Sequence, residues 1–96
     1  MWSAGLVWQI EFDPDALKEL KKLDKPVRDR IVGFLKTRVA TSNHPSDLGE
    51  RLSGDLLGKY WKYRLGDWRI VCEIIDKRVV VRVLRIGHRS AVYKRD

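Results

Sequence analysis

The chain has one cysteine, two histidines and three prolines among its 96 residues. The lone thiol, Cys72, excludes an internal disulfide framework and fits a reducing cytoplasm. His44 and His88 are far apart, and no Cys/His cluster has metal-ligand spacing; neither a metal nor another cofactor is expected. No apolar run approaches the roughly 20 residues that a spanning helix needs, so no membrane partner is expected. The start MWSAGLVWQIEFD lacks the basic stretch and small-residue cleavage site of a signal peptide. A glycine-rich phosphate loop is missing too, since GDLLGKY has neither the spacing nor the Ser/Thr after lysine. No paired carboxylates recommend themselves.

Acidic residues are scarce in one part of the chain. Residues 1–58 hold nine Lys/Arg and nine Asp/Glu, whereas residues 59–96 hold eleven against four. The whole net charge of +7 therefore lies in the last 38 residues. Such asymmetry is an electrostatic footprint for a polyanion, most often nucleic acid, with general solubility as the bland alternative. With 44% hydrophobic and 34% charged residues, the composition is that of a folded domain. The length suits one domain, 1–96, with a single modest core.

Val7–Phe12 alternates, placing Trp8, Ile10 and Phe12 on one side of a short strand. Asp13-Pro14 then supplies an N-cap and a first-turn proline for a helix whose apolar positions are Ala16, Leu17, Leu20 and Leu23. Lys25-Pro26 opens a second helix with an apolar stripe of Val27, Ile31, Phe34, Leu35 and Val39. Residues 40–58 read as a loop pinned by Leu48, Leu52, Leu56 and Leu57. Strands follow at Lys59–Leu65, Trp68–Ile75 and Val79–Ile86. The order β-α-α-β-β-β predicts an α+β domain, with a helical hairpin on one face of an antiparallel sheet.

The stretch YWKYRLGDWRIVCEI (residues 60–74) carries the chemistry. Gly66-Asp67 fits a two-residue type II′ turn, which pairs Leu65 with Trp68 and Arg64 with Arg69. Tyr60, Lys62, Arg64, Arg69, Val71 and Glu73 then share one face, while Trp61, Tyr63, Leu65, Trp68, Ile70, Cys72 and Ile74 share the apolar one. Like charges directly opposite one another destabilise a sheet, so the Arg64–Arg69 pair points to a bound anion. A solvated face on which long side chains splay apart is the plainer explanation. With Asp76-Lys77 as a second tight turn, Arg82 falls opposite Val71 on the basic face. A three-residue turn would reverse that assignment, and Arg85 is ambiguous for the same reason.

Lys62, Arg64, Arg69, His88, Arg89 and Tyr93 make an inventory suited to RNA cleavage without a metal. Cations stabilise charge on a pentacoordinate phosphate, and guanidiniums grip phosphate oxygens bidentately. His88 is the side chain in this set suited to proton transfer near neutral pH without a shift. Tyr93 can stack on a base. A polar strand end and a ring packed on the sheet edge are their structural alternatives. Lys59, Arg82, Arg85 and Lys94 are candidate RNA contacts around this group.

The runs LSGDLLGKYWKYRLGDWRIVCEI and VVVRVLRIGHRSAVY resemble the RelE/ParE toxin superfamily, its RelE branch in particular. The resemblance covers essentially the whole chain, and KYRLGDWRIV and GHR…VY are its most specific parts. It implies an mRNA interferase of a type II toxin–antitoxin module. Such toxins cut messenger RNA in the ribosomal A site and are silenced by a small, acidic, partly disordered antitoxin; operator DNA is met only through that complex. It further implies phosphate stabilisation by Lys62, Arg64 and Arg69, leaving-group protonation or stabilisation by Arg89, and stacking by Tyr93. The best-known RelE pattern has lysine where this chain has Arg64. Arginine is effectively never deprotonated, which leaves Lys62 or His88 as general base. Two alternatives share the fold: a ParE-like DNA gyrase inhibitor, and a catalytically silent co-repressor that only binds antitoxin.

Overall fold

The computed structural model describes residues 7–52 and 60–89. The first strand, β1 (Gln9–Phe12), leads through Asp13 into helix α1 (Pro14–Lys21). Pro14 sits in the first turn, where its missing N–H leaves no helical bond unmade. Asp24 and Pro26 repeat the device at the start of α2 (Lys25–Phe34). The helical path continues through one wider π turn, Leu35–Val39, before it stops at Ala40. There the Thr37 hydroxyl donates to Gly33 O and the Thr41 hydroxyl to Thr37 O. Such back-bonding bends a helix end and accompanies the loosened turn.

Five strands form one sheet in the order β1-β5-β4-β3-β2. Here β2 is Glu50–Arg51, β3 Tyr60–Leu65, β4 Trp68–Ile75 and β5 Val80–His88. The sheet is mixed, not wholly antiparallel as expected, because β1 runs parallel to β5. The helical hairpin between β1 and the later strands lets β1 join the far edge in the same direction as β5. Two-residue β2 was not anticipated; it lies inside the segment read as loop. Pro45–Leu48 forms a short 3-10 turn just before it.

The apolar stripes meet as expected except at Leu17, which is exposed. Ala16 and Leu20 of α1, Ile31 of α2, and Leu35 and Val39 of the π turn pack with Tyr63, Ile70, Cys72, Val81, Val83 and Ile86 of the sheet. Leu48 packs against this core, Leu52 is half-buried but not part of it, and Leu56 and Leu57 lie outside the described residues. Tyr63 is fully buried, stacks edge-on against Phe34, and donates its hydroxyl to Pro45 O at 2.9 Å.

The β4–β5 connection corrects the sequence reading. It spans Asp76–Val79, with Ile75 paired to Val80, so it is four residues long instead of two. Val79 closes it in the left-handed region at φ 55°, an uncommon conformation for a β-branched residue. Arg82 therefore lies opposite Glu73, not Val71. A bulge between Val71 and Cys72 leaves Leu84 outside the pairing and sets Arg85 opposite Val71. Arg82 and Arg85 thus enter on one side of β5 although they are three residues apart.

Candidate functional site

The β3–β4 hairpin sets the geometry of the site. Gly66 has φ +62° and Asp67 stays out of the positive-φ region, as a type II′ turn requires. The pairing follows as expected: Leu65 faces Trp68, Arg64 faces Arg69, and Lys62 faces Val71. Arg64 and Arg69 are thus direct cross-strand neighbours on the side away from buried Tyr63, Ile70 and Cys72.

Each arginine is held differently. Arg69 is half-buried, and its Nη1 donates to Gly66 O at 2.7 Å and to Trp68 O at 3.0 Å. Two carbonyls of the turn therefore fix its guanidinium at the hairpin tip. Arg64 is exposed, and its Nε lies 2.9 Å from Oε1 of Glu50. Arg89 follows β5, yet its backbone N–H donates to Asp67 O at 2.8 Å, and its Nε lies 3.7 Å from the Asp67 carboxylate. Arg69 and Arg89 are therefore gathered at one turn from two strand ends.

Glu50 is the residue that sequence reasoning missed. It pairs with Lys62 in the β2–β3 ladder and reaches diagonally to Arg64. A Cβ on Gly49 would lie 2.8 Å from Lys62 O and 2.9 Å from the Tyr63 ring, so only glycine lets the chain pass this close. The Tyr63–Pro45 hydrogen bond ties down the same segment from beneath. A two-residue strand has no periodicity to read. The available signals were Gly49 directly before a carboxylate and a core tyrosine with a hydroxyl to satisfy.

The remaining candidates are scattered. His88 lies opposite Trp68, its ring edge-on to the indole at 5.7 Å, so it enters on the side opposite to Arg64 and Arg69. Arg82 Nη2 pairs with Asp13 at 2.7 Å. Arg85 pairs with Glu19 of α1 through Nε and Nη2, and the other Glu19 oxygen accepts the Ile86 N–H at 2.9 Å. Glu19 thereby closes the length of β5 that β1 leaves uncovered beyond Val83. Lys59, Tyr93 and Lys94 lie outside the described residues. Burial pushes the Cys72 thiol and the Tyr63 phenol well above their ordinary pKa values, as befits packing residues. Among the described residues, no group of three His, Cys, Asp or Glu is placed to hold a metal ion, and no helix is long and apolar enough to cross a membrane.

Comparison with known proteins identifies the family. Residues 10–93 match the family model described as "ParE toxin of type II toxin-antitoxin system, parDE". The "mRNA interferase toxin RelE" of Escherichia coli K12 is 33% identical over 90 residues, covering 92% of each chain. A "putative RelE-like toxin protein" of Escherichia coli is 33% identical over 88 residues, covering 90% of each. Among solved structures, a chain of the RelBE2 toxin–antitoxin complex of Mycobacterium tuberculosis superimposes with a TM-score of 0.79 at 25% identity, over 88% of this chain and 94% of that one. One from the intact Escherichia coli RelBE complex gives 0.68 at 31%, over 84% and 95%. With a family model spanning most of the chain and relatives at one-third identity, this protein belongs to the RelE/ParE family of type II toxin–antitoxin toxins.

Proposed function

We propose that this toxin is an endoribonuclease that cuts messenger RNA in the ribosomal A site and so stops translation in the cytoplasm. The observation that carries the reading is the register that sets Arg64 opposite Arg69 while Arg89 folds back onto the same turn. Three arginines are thus borne on one hairpin and its turn, where a stable sheet alone has no use for them.

In the reaction, the ribose 2′-hydroxyl gives up its proton and its oxygen bonds to phosphorus. The P–O5′ bond breaks, and the leaving 5′-oxygen takes a proton, leaving a cyclic phosphate on the upstream fragment. Arg69, preset by two carbonyls, stabilises the equatorial oxygens with Arg64 and Lys62. Arg89 neutralises the charge on the leaving oxygen, which takes its proton from water, and Tyr93 stacks on the message. For the first proton, Lys62 and His88 are joined by Glu50. A carboxylate can accept a proton where a guanidinium cannot, and Glu50 is already 2.9 Å from Arg64. His88 is the least suited of the three, because it enters from the Trp68 side.

The toxin–antitoxin complexes among the structural relatives support a cognate antitoxin as partner; a small acidic chain would dock on the helical faces and on the basic sheet. Operator DNA is met only through that complex. The test is induction of the toxin in growing cells, with primer extension on messenger RNA. Cuts that vanish in Arg69→Ala and Arg89→Ala, with relief of growth arrest, support the reading. Full toxicity of both variants with uncut message ends it.

The matching family model is described by its ParE members, which favours testing gyrase next. A gyrase inhibitor predicts blocked supercoiling and DNA breaks with the purified enzyme. Absence of all these activities leaves the silent co-repressor.

A further inference from the structure

The proposed nuclease site uses Arg64, Arg69 and Arg89 and leaves a cation at the same turn unassigned. Arg30 belongs to α2, and its side chain is exposed. A Cβ placed on Gly66 would lie 3.5 Å from Arg30 Nη1 and 3.7 Å from Nη2, so the guanidinium rests against the hairpin tip. Arg69 reaches the same glycine through its carbonyl, and Arg89 holds the next residue, Asp67. Three separate elements thus send guanidiniums to two consecutive turn residues. The one carboxylate of this turn, Asp67, is already engaged by Arg89. Arg30 forms no ion pair among the described residues.

Packing does not explain this placement, because an exposed guanidinium gains little by lying beside two others and meets their repulsion. Gly66 also presents no side chain at the tip, so a nucleic-acid backbone can approach it closely. We infer that Arg30 binds a backbone phosphate of the message strand adjacent to the scissile one. The strand then leaves the sheet face over the hairpin tip and passes toward α2. A strand held at Arg69 and Arg89 must run past this tip or away from it, and a cation with no ion pair among the described residues lies on the tip. This inference rests on the nuclease reading and adds a binding position to it.

The test uses the full chain on ribosomes programmed with a short message, at several salt concentrations. Arg30→Ala should raise the half-saturating toxin concentration about fivefold to tenfold and make the log–log salt dependence shallower by about one unit, as loss of one phosphate contact does. The single-turnover rate at saturating toxin should not change. Arg30→Lys, which keeps the charge, should retain the salt slope.

Messages carrying one uncharged methylphosphonate at successive positions around the cut locate the contact. At one flanking position the wild type should lose the same factor, and Arg30→Ala should lose nothing more. If Arg30→Ala keeps its full deficit on every such message, the contact is to ribosomal RNA and the inference is overturned. If wild type cuts and Arg30→Ala matches it in half-saturation and salt slope, the inference falls alone. A wild type that cuts no message removes the nuclease reading as well.

Discussion

The carboxylate of Glu50 lies 2.9 Å from Nε of Arg64, on the face where Arg64 stands opposite Arg69. Both partners are 58% exposed, and an ion pair so open to water is worth at most about 1 kcal/mol to stability. Its interest is chemical. Glu50→Gln should therefore shift the urea midpoint little while lowering the single-turnover cleavage rate by roughly 100-fold or more, the usual cost of losing a positioned base. An unchanged rate would make Glu50 a counter-ion and return the proton to Lys62 or His88.

Gly49→Ala should separate the placement of Glu50 from its chemistry. The new methyl would meet Lys62 O at 2.8 Å and the Tyr63 ring at 2.9 Å, and neither backbone nor packed ring can yield cheaply. Overpacking of this kind costs about 1–3 kcal/mol. Denaturation should show that loss, and cleavage should fall because β2 no longer holds Glu50 beside Arg64.

Arg69→Ala should reduce cleavage by about 100- to 1,000-fold, the range seen when one preset donor to a transition-state oxygen is removed. The fold should persist, because the bond to Gly66 O is exposed and water can replace it, and the one to Trp68 O is only part-buried. Single-turnover assays and circular dichroism check the two halves of this prediction.

Gly33→Ala should stabilise the toxin. Gly33 sits in α2 with open space where its Cβ would be, and a helical glycine costs roughly 0.5–1 kcal/mol relative to alanine. Thermal unfolding should register the gain, with toxicity unaltered.

Buried Cys72 gives the alkaline limb of stability. Burial raises its folded-state pKa, so the native chain holds the thiol proton more tightly than the unfolded chain. Stability is complete below the unfolded thiol pKa of about 8.5 and falls above it by up to about 1.4 kcal/mol per pH unit. Urea titrations of wild type and Cys72→Ala at pH 8 and pH 10 should show a steeper loss in the wild type.

Much of this molecule follows from local rules. Asp13-Pro14 and Lys25-Pro26 start both helices, because a first-turn proline forfeits no helical hydrogen bond. Gly66-Asp67 fixes the β3–β4 register, because a two-residue turn allows one pairing, and with it the apposition of Arg64 and Arg69. Alternation then separates Tyr63, Ile70 and Cys72 from the cations.

What the sequence could not determine lies wherever the chain's path depends on distant neighbours. The Asp76–Val79 connection is stabilised in an unusual conformation, and its extra residues move Arg82 from Val71 to Glu73. Two residues of β2 carry no pattern, yet Gly49 and Tyr63 bring Glu50 to Arg64 through contacts made only after the core closes. Arg30 reaches Gly66 across 36 positions because α2 packs over the sheet. Strand register is a short-range property and is written in the turn residues. The meeting of Glu50, Arg64 and Arg30 around one hairpin is a property of packing, and only the tertiary structure decides it.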